Sequence, residues 1–268
     1  MMSGESRKRP VYLDNQATTP VDAAVLDAML PEMGPGKIWM EMSTTDPAQI
    51  EAQAAEVAGR GALAIDCPVS GGCHRAATGN ISIFAGCDRA AFDRVLPILT
   101  LLGRRVLHTG AVGTASRLKV MTNYLATANL LTLCEALVTM KAQGLDMATT
   151  YEAIKISSGT SFVHETESQL ILSGSRDVDF TMDLILKDLG LFQALADDAQ
   201  VPLELSPKVI EIMQDGARRY GMRGQTDRII ERLEEATGLK VTAPGFPDEL
   251  IDEEPEERGY EVRPPAAS

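Results

Sequence analysis

The chain has 268 residues, and its four cysteines (Cys67, Cys73, Cys87 and Cys134) include no C-x-x-C pair; its three histidines are scattered. This spacing supports neither a zinc site nor a disulfide framework, so a reducing cytoplasm is the expected compartment and no metal is expected. No apolar run reaches the ~18 residues that a membrane span needs, so no membrane partner is expected. Met1 to Arg9 is basic and polar with no apolar stretch behind it, which argues against a secretory signal. Positive charge is in short supply: 25 Lys and Arg against 38 Asp and Glu give a net charge of -13. Nucleic-acid binding, which needs a basic face, is therefore not expected.

What the chain does have is apolar content of 44 %, enough for one large domain or two small ones with a real core. Ile38 to Met42 reads as a strand. Ser43-Thr44-Thr45-Asp46-Pro47 then forms a turn into a helix, with Asp46 or Thr45 as cap and Pro47 at the first helical position. Ala62 to Cys67 is the next strand, giving a β-α-β unit that favours parallel pairing. Ile81 to Ala85 and Arg105 to His108 are further strands, separated by a helix from Arg89 to Leu102.

The stretch that organises the rest is Gly110-Ala-Val-Gly-Thr-Ala-Ser-Arg-Leu-Lys-Val-Met-Thr-Asn123, a loop of small residues opening a long apolar helix. Lys119 and Asn123, four residues apart, share one face of that helix. Taken alone, Lys119 is more readily read as an ordinary surface lysine. Ser70-Gly71-Gly72 follows the second strand, and its backbone N–H groups are free to surround a carboxylate; it is equally a plain tight turn. The helix from Thr114 to about Gln143 is rich in Leu, Ala, Met and Val, as expected of a helical-domain centre or a subunit interface. Lys187-Asp188 lies on a later helix and could be a solvated pair. From Pro247 the composition turns acidic and proline-rich, which predicts a disordered tail over 246–268.

Two resemblances enter here. Pro10 to Pro31, with Tyr-Leu-Asp-Asn-Gln-Ala-Thr-Thr-Pro-Val-Asp, resembles the N-terminus of the cysteine desulfurases. That family's pyridoxal-binding lysine and cysteine segments have no counterpart, so residues 1–36 read as a fragment without desulfurase chemistry. Asp66-Cys67-Pro68-Val69-Ser70-Gly71-Gly72, Gly110 to Asn123 and Lys187-Asp188-Leu189 resemble, in that order, the β-hydroxyacid dehydrogenases of the 3-hydroxyisobutyrate dehydrogenase type. The similarity runs from about residue 36 to 221.

This second resemblance implies α/β followed by all-α: a Rossmann-type parallel sheet over 37–110, then a helical domain over 111–245 like that of 6-phosphogluconate dehydrogenase. It implies hydride transfer between NAD or NADP and a small 3-hydroxy acid. Lys119 matches the catalytic lysine, Asn123 the substrate-holding amide, and Ser70, Gly71 and Gly72 the carboxylate loop. Ser43 and Thr44 match the loop near the nicotinamide, and Lys187 and Asp188 the pair that closes the site on the cofactor side. The long helix at 114–143 implies a homodimer or homotetramer. Cys67, Ala115 and Glu41 depart slightly from the family pattern.

A larger departure lies at the front. No Gly-x-Gly-x-x-Gly turn, the usual cradle for the cofactor pyrophosphate, precedes Ser43, and the sheet is expected to keep an exposed edge where its first strands would lie. Two functions follow: an NAD(P)-dependent hydroxyacid oxidoreductase, or a catalytically silent dimeric scaffold that keeps at most a small-carboxylate site.

Overall fold

A computed structural model describes residues 28–265 together with Val25. Val11-Tyr12-Leu13, which reads as a short strand in the sequence, and most of the desulfurase-like segment lie outside the described residues.

Residues 38–110 fold into an α/β layer. Strand β1 (Ile38–Glu41) pairs in parallel with β2 (Leu63–Asp66), joined by helix α1 (Pro47–Gly59). Asp46 caps α1 by accepting the Ala48 N–H at 2.9 Å, with Pro47 at the first turn where its missing donor is harmless. Strand β3 (Val69–Ser70) continues the line of β2 beyond Cys67-Pro68, and helix α2 (Gly72–Thr78) leads into β4 (Ser82–Gly86). Helix α3 (Arg89–Leu102), capped by Asp88 on the Ala91 N–H, returns the chain to β5 (Arg105–Gly110).

The sheet differs from the all-parallel expectation. Asp66 pairs with Gly86, Val69 with Ile83 and Ser70 with Ser82, all antiparallel and in one continuous register, while Phe84 donates to the Pro68 carbonyl at 3.0 Å. Strand β2–β3 and β4 therefore form one antiparallel pair. Pro68 sits at a position that accepts but cannot donate, which is what a proline tolerates in a ladder. The short α2 crossover reverses direction because it has too few residues to return the chain to the sheet's starting end. Beyond it β4 and β5 are parallel.

A second difference concerns the acidic segment. Tyr260–Val262 forms β6, parallel to β5, so the strand order is β1-β2-β4-β5-β6. The expected disorder of the tail fails because composition does not register partners far away in the chain. Glu254 meets Arg105, Glu257 meets Arg104, and Glu261 meets Arg89. Among the described residues β1 is the outer strand on the opposite side.

The helical half is built on α4 (Thr114–Ala142), against which α5 (Met147–Lys155), α6 (Phe162–Ser173), α7 (Met182–Asp198) and α8 (Leu205–Tyr220) pack. A 3-10 turn at Thr226–Ile230 and helix α9 (Glu231–Thr237) complete it. Leu130, Leu137, Leu170, Ile171, Leu172 and Leu189 are fully enclosed. By length and composition alone α4 could cross a membrane, but Leu130, Leu131, Leu133, Leu137 and Val138 of its second half lie in the helical core. A separate core of Ile65, Ile83, Phe92, Val95, Leu99 and Val106 fills the space between sheet and α3.

Candidate active site

The site grows from the place where α4 leaves the sheet. Asp66 ends β2 and is fully buried. Its carboxylate accepts the Gly113 N–H at 3.0 Å, the Ser116 N–H at 2.9 Å and the Ser116 hydroxyl at 2.6 Å. It thereby satisfies donors of the first turn of α4 that would otherwise be orphaned. Burial raises the pKa of this carboxyl; the Ser116 and Gly113 donors oppose the shift. Gly113 has φ +87°, a backbone conformation that strains any other residue, whereas the nearest atom a Cβ would meet, Glu51 Oε1, is the movable end of an exposed side chain. Asp66 opens the Asp66–Gly72 motif and carries no role that the sequence alone assigns. The available signal was a carboxylate at the end of an apolar strand, with no partner of its own nearby in the chain.

Two turns further along α4, Lys119 is only 9 % exposed. Among the described residues its Nζ takes part in no hydrogen bond or ion pair. Desolvation lowers its pKa to about 8; the negative charge of Asp188 opposes that shift and the positive charge of Lys187 adds to it. Asn123 donates through Nδ2 to Asp188 Oδ2 at 2.6 Å. Asp188, on α7, is almost fully enclosed, and desolvation raises its pKa against the pull of Lys187, Asn123 and Lys119. Lys187 Nζ lies 3.2 Å from Asp188 Oδ1 and donates to the Thr44 carbonyl at 2.6 Å.

Asn123, Asp188, Lys187 and Thr44 thus form one connected group that spans both halves of the molecule, with Lys119 one turn of α4 before Asn123. Ser43 is buried beside Thr44, and its N–H donates to Glu41 Oε1 at 2.9 Å. The longer Glu41 therefore still reaches the loop that follows it. Ser70, Gly71 and Gly72 lie elsewhere along the β2–β3 line, at the start of α2, with Gly71 and Gly72 in the positive-φ region. No hydrogen bond among the described residues connects them with the lysine group. Lys187 spends its ammonium on Thr44 and Asp188 accepts from Asn123, so the pair closes the site on the protein itself.

The described residues fit one end of a dinucleotide. The polar Ser43-Thr44 loop, held from both sides, suits the nicotinamide. The helix N-termini beside the sheet are occupied by the chain's own carboxylates, Asp46 on α1, Asp88 on α3 and Asp66 on α4. On α1 and α3 the cap takes one N–H each, from Ala48 and Ala91, and on α4 Asp66 takes those of Gly113 and Ser116.

Comparison with known proteins places this geometry. Residues 7–110 match the NAD binding domain of 6-phosphogluconate dehydrogenase, and residues 113–233 match the NAD-binding module of NADP-dependent 3-hydroxyisobutyrate dehydrogenase. The chain is 33 % identical over 209 residues to 2-(hydroxymethyl)glutarate dehydrogenase of Eubacterium barkeri, covering 77 % of this chain and 69 % of that protein. It is 31 % identical over 202 residues to L-threonate dehydrogenase of Cupriavidus necator, covering 75 % and 68 %. The fold is shared with a 3-hydroxyisobutyrate dehydrogenase from Salmonella typhimurium, at a TM-score of 0.71 and 24 % identity over 78 % of this chain and 75 % of that one. The chain belongs to the 3-hydroxyisobutyrate dehydrogenase-like family of β-hydroxyacid dehydrogenases, NAD(P)-dependent oxidoreductases with a Rossmann-like domain followed by a helical one.

Proposed function

We propose that this chain transfers a hydride between NAD or NADP and a small 3-hydroxy acid, with Lys119 moving the hydroxyl proton. The observation that carries this reading is a buried lysine with no protein partner, its pKa brought to about 8, beside an amide fixed by a buried carboxylate. A neutral Lys119 Nζ takes the proton from the carbinol oxygen as the hydride leaves carbon; in the reverse direction the ammonium returns it. A bound nicotinamide would supply the hydride acceptor, with Ser43 and Thr44 beside it and the Lys187–Thr44 bond holding that loop against α7. Asn123 Nδ2, oriented by Asp188, presents a neutral donor to the substrate oxygen. Ser70, Gly71 and Gly72 hold the substrate carboxylate through backbone N–H groups, fixing the carbinol carbon.

Lys119→Ala tests the mechanism. Its kcat is expected to fall by about 10²–10⁴-fold, the usual contribution of a general acid–base group. A loss below ten-fold in a folded variant removes Lys119 from the chemistry.

A second reading, a silent dimeric scaffold with at most a carboxylate site, is favoured by the absence of a glycine-rich turn before Ser43. Calorimetric titration with NADH and NADPH separates the two: micromolar binding of either supports the oxidoreductase, and no heat up to millimolar cofactor supports the scaffold. In both readings the working division is 37–110 and 111–245, the compartment is the cytoplasm, and α4 carries a homodimer or homotetramer contact around exposed Leu125. The desulfurase-like segment at 10–31 is taken to contribute no chemistry. Its support is sequence resemblance alone, and the 6-phosphogluconate dehydrogenase match already begins at residue 7.

A further inference from the structure

Helix α2 follows the proposed carboxylate loop directly and has little to hold it in place. It has seven residues, none fully buried, and no side-chain cap at Gly71. A helix this short is not stable by itself in water. On one side it meets the helical half: Arg75 lies over the Phe162 ring at 4.8 Å, and the His74 ring stacks on it at 6.2 Å. On the other side it meets the acidic C-terminal segment.

That segment leaves the helical core after fully buried Val241, where the Ala243 N–H donates to the Leu172 carbonyl at 2.8 Å. Glu249 and Leu250 pass Cys73 and His74, closing a polar cavity with Asp177 and Asp179. Asp252 Oδ2 then accepts from the Thr78 hydroxyl and, at 2.7 Å, from Asn80 Nδ2. Asn80 is fully buried, and its Nδ2 donates again to the Glu254 carbonyl at 2.9 Å. The Glu254 carboxylate takes a bidentate contact from Arg105, at 3.0 and 2.7 Å, and lies 3.6 Å from Arg75 on α2. Gly259 donates to the Thr100 carbonyl at 2.9 Å, and a Cβ at 259 would lie 1.9 Å from the Gly103 oxygen. Strand β6 and the bidentate Arg89–Glu261 pair then anchor the end on the sheet.

We propose that Asp252–Val262 is a strap that positions α2, and through it the Ser70–Gly72 loop, with Asp252 and Glu254 as the positioning residues. The proposal rests on the reading of Ser70–Gly72 as the carboxylate loop only for its consequence in catalysis. The strap crosses from the helical half to the far edge of the sheet, so it fixes α2 against both halves at once. Arg75 and Thr78 on α2 and the Asn80 amide nitrogen just after it all meet the strap, at Glu254 and Asp252.

The test is amide hydrogen exchange on the full chain, comparing the wild type with Gly259→Val, which cannot seat β6, and with Asp252→Asn, which weakens the contact to Thr78 and Asn80. Amides 71–80 are expected to exchange at least ~10-fold faster in both variants while α4 to α8 stay unchanged. In steady-state assays the same variants should raise KM for the hydroxy acid several-fold and leave kcat within about two-fold, the signature of lost substrate positioning. Unchanged exchange at 71–80 in a folded variant, with opening confined to β6, overturns the proposal. If Gly259→Val does not fold, Asp252→Asn decides it. Faster exchange with unchanged KM supports the strap and removes Ser70–Gly72 from the substrate site, which separates failure of this proposal from failure of the functional reading.

Discussion

Asn123 on α4 donates to Asp188 on α7 at 2.6 Å, one helical turn from Lys119. Desolvation lowers the proton affinity of the buried Lys119, and the buried carboxylate held by this bond and the Lys187 ammonium then modulate it in opposite directions. Asp188 pulls the Lys119 pKa up; Lys187 pushes it down.

The first prediction follows from those signs. In the oxidative direction the neutral amine is the active form, so kcat/KM is expected to rise with pH and level off above about 8. Asp188→Asn removes the charge that favours the ammonium, so the rising limb should move to lower pH. Lys187→Met removes the charge that disfavours it and should move the limb the other way. pH–rate profiles of the two variants check this, and two limbs that move in the same direction, or not at all, would show that the limb does not belong to Lys119.

Most elements from Ile38 to Lys155 were legible in the sequence because they have a local signal, whereas β3 and the short α2, which follow the Cys67-Pro68 and Gly71-Gly72 breaks, were not. Asp46-Pro47 opens α1, Asp88 opens α3, and the Gly110–Gly113 loop opens α4. The lysine group was legible only through resemblance, since nothing local tells Lys119 from a surface lysine. Two features were not legible for a physical reason. The antiparallel β2–β4 pairing depends on the short reach of α2 and on Pro68 accepting without donating, neither of which shows in hydrophobic periodicity. The acidic segment has the composition of a disordered chain, and its order comes from arginines some 150 residues earlier, such as Arg105 facing Glu254.

Lys119 should cost the fold what it gives to catalysis. Its pKa falls from 10.5 to about 8 on folding, so the unfolded chain binds the proton more tightly, and stability rises with pH between those two values. Below about 8 the full penalty applies, at most about 3 kcal/mol from 1.36 kcal/mol per unit. Lys119→Met removes it while keeping the side-chain volume. The variant is expected to be inactive yet to melt several degrees higher at pH 7, with the gain shrinking toward pH 10. A melting temperature equal to or below that of the wild type at pH 7 contradicts a net cost from burying the Lys119 ammonium.

Asp66 should matter to stability through α4, not through chemistry. Asp66→Ala leaves the Gly113 and Ser116 donors buried without an acceptor, and is expected to cost about 2–4 kcal/mol in denaturant unfolding, the sum of a lost cap and an unsatisfied site. Asp66→Asn keeps a carbonyl for the two N–H groups and an amide that can donate to Ser116 Oγ, so its cost should stay within about 1 kcal/mol. Equal costs for the two variants would mean that the charge, and not the hydrogen bonds, joins β2 to α4.

Gly86 offers a steric test of the same junction. It ends β4 and pairs with Asp66 on one side and Gly110 on the other. A Cβ at this position would lie 2.8 Å from the Ala111 carbonyl oxygen and 3.2 Å from Thr114 Oγ1. Backbone carbonyls yield little, so Gly86→Ala must push the Gly110–Thr114 loop away from the sheet and carry the first turns of α4 with it. Overpacking of this kind typically costs about 1–3 kcal/mol. Displacement of the α4 start would also shift Lys119 relative to Ser43 and Thr44, so kcat should fall by more than KM rises, because the proton-transfer group moves while the substrate loop at 70–72 stays in place. A variant that loses stability while keeping wild-type kcat would show that α4 can slide at its N-terminus without moving Lys119, and the rigid link from Asp66 to the lysine would then have to be abandoned.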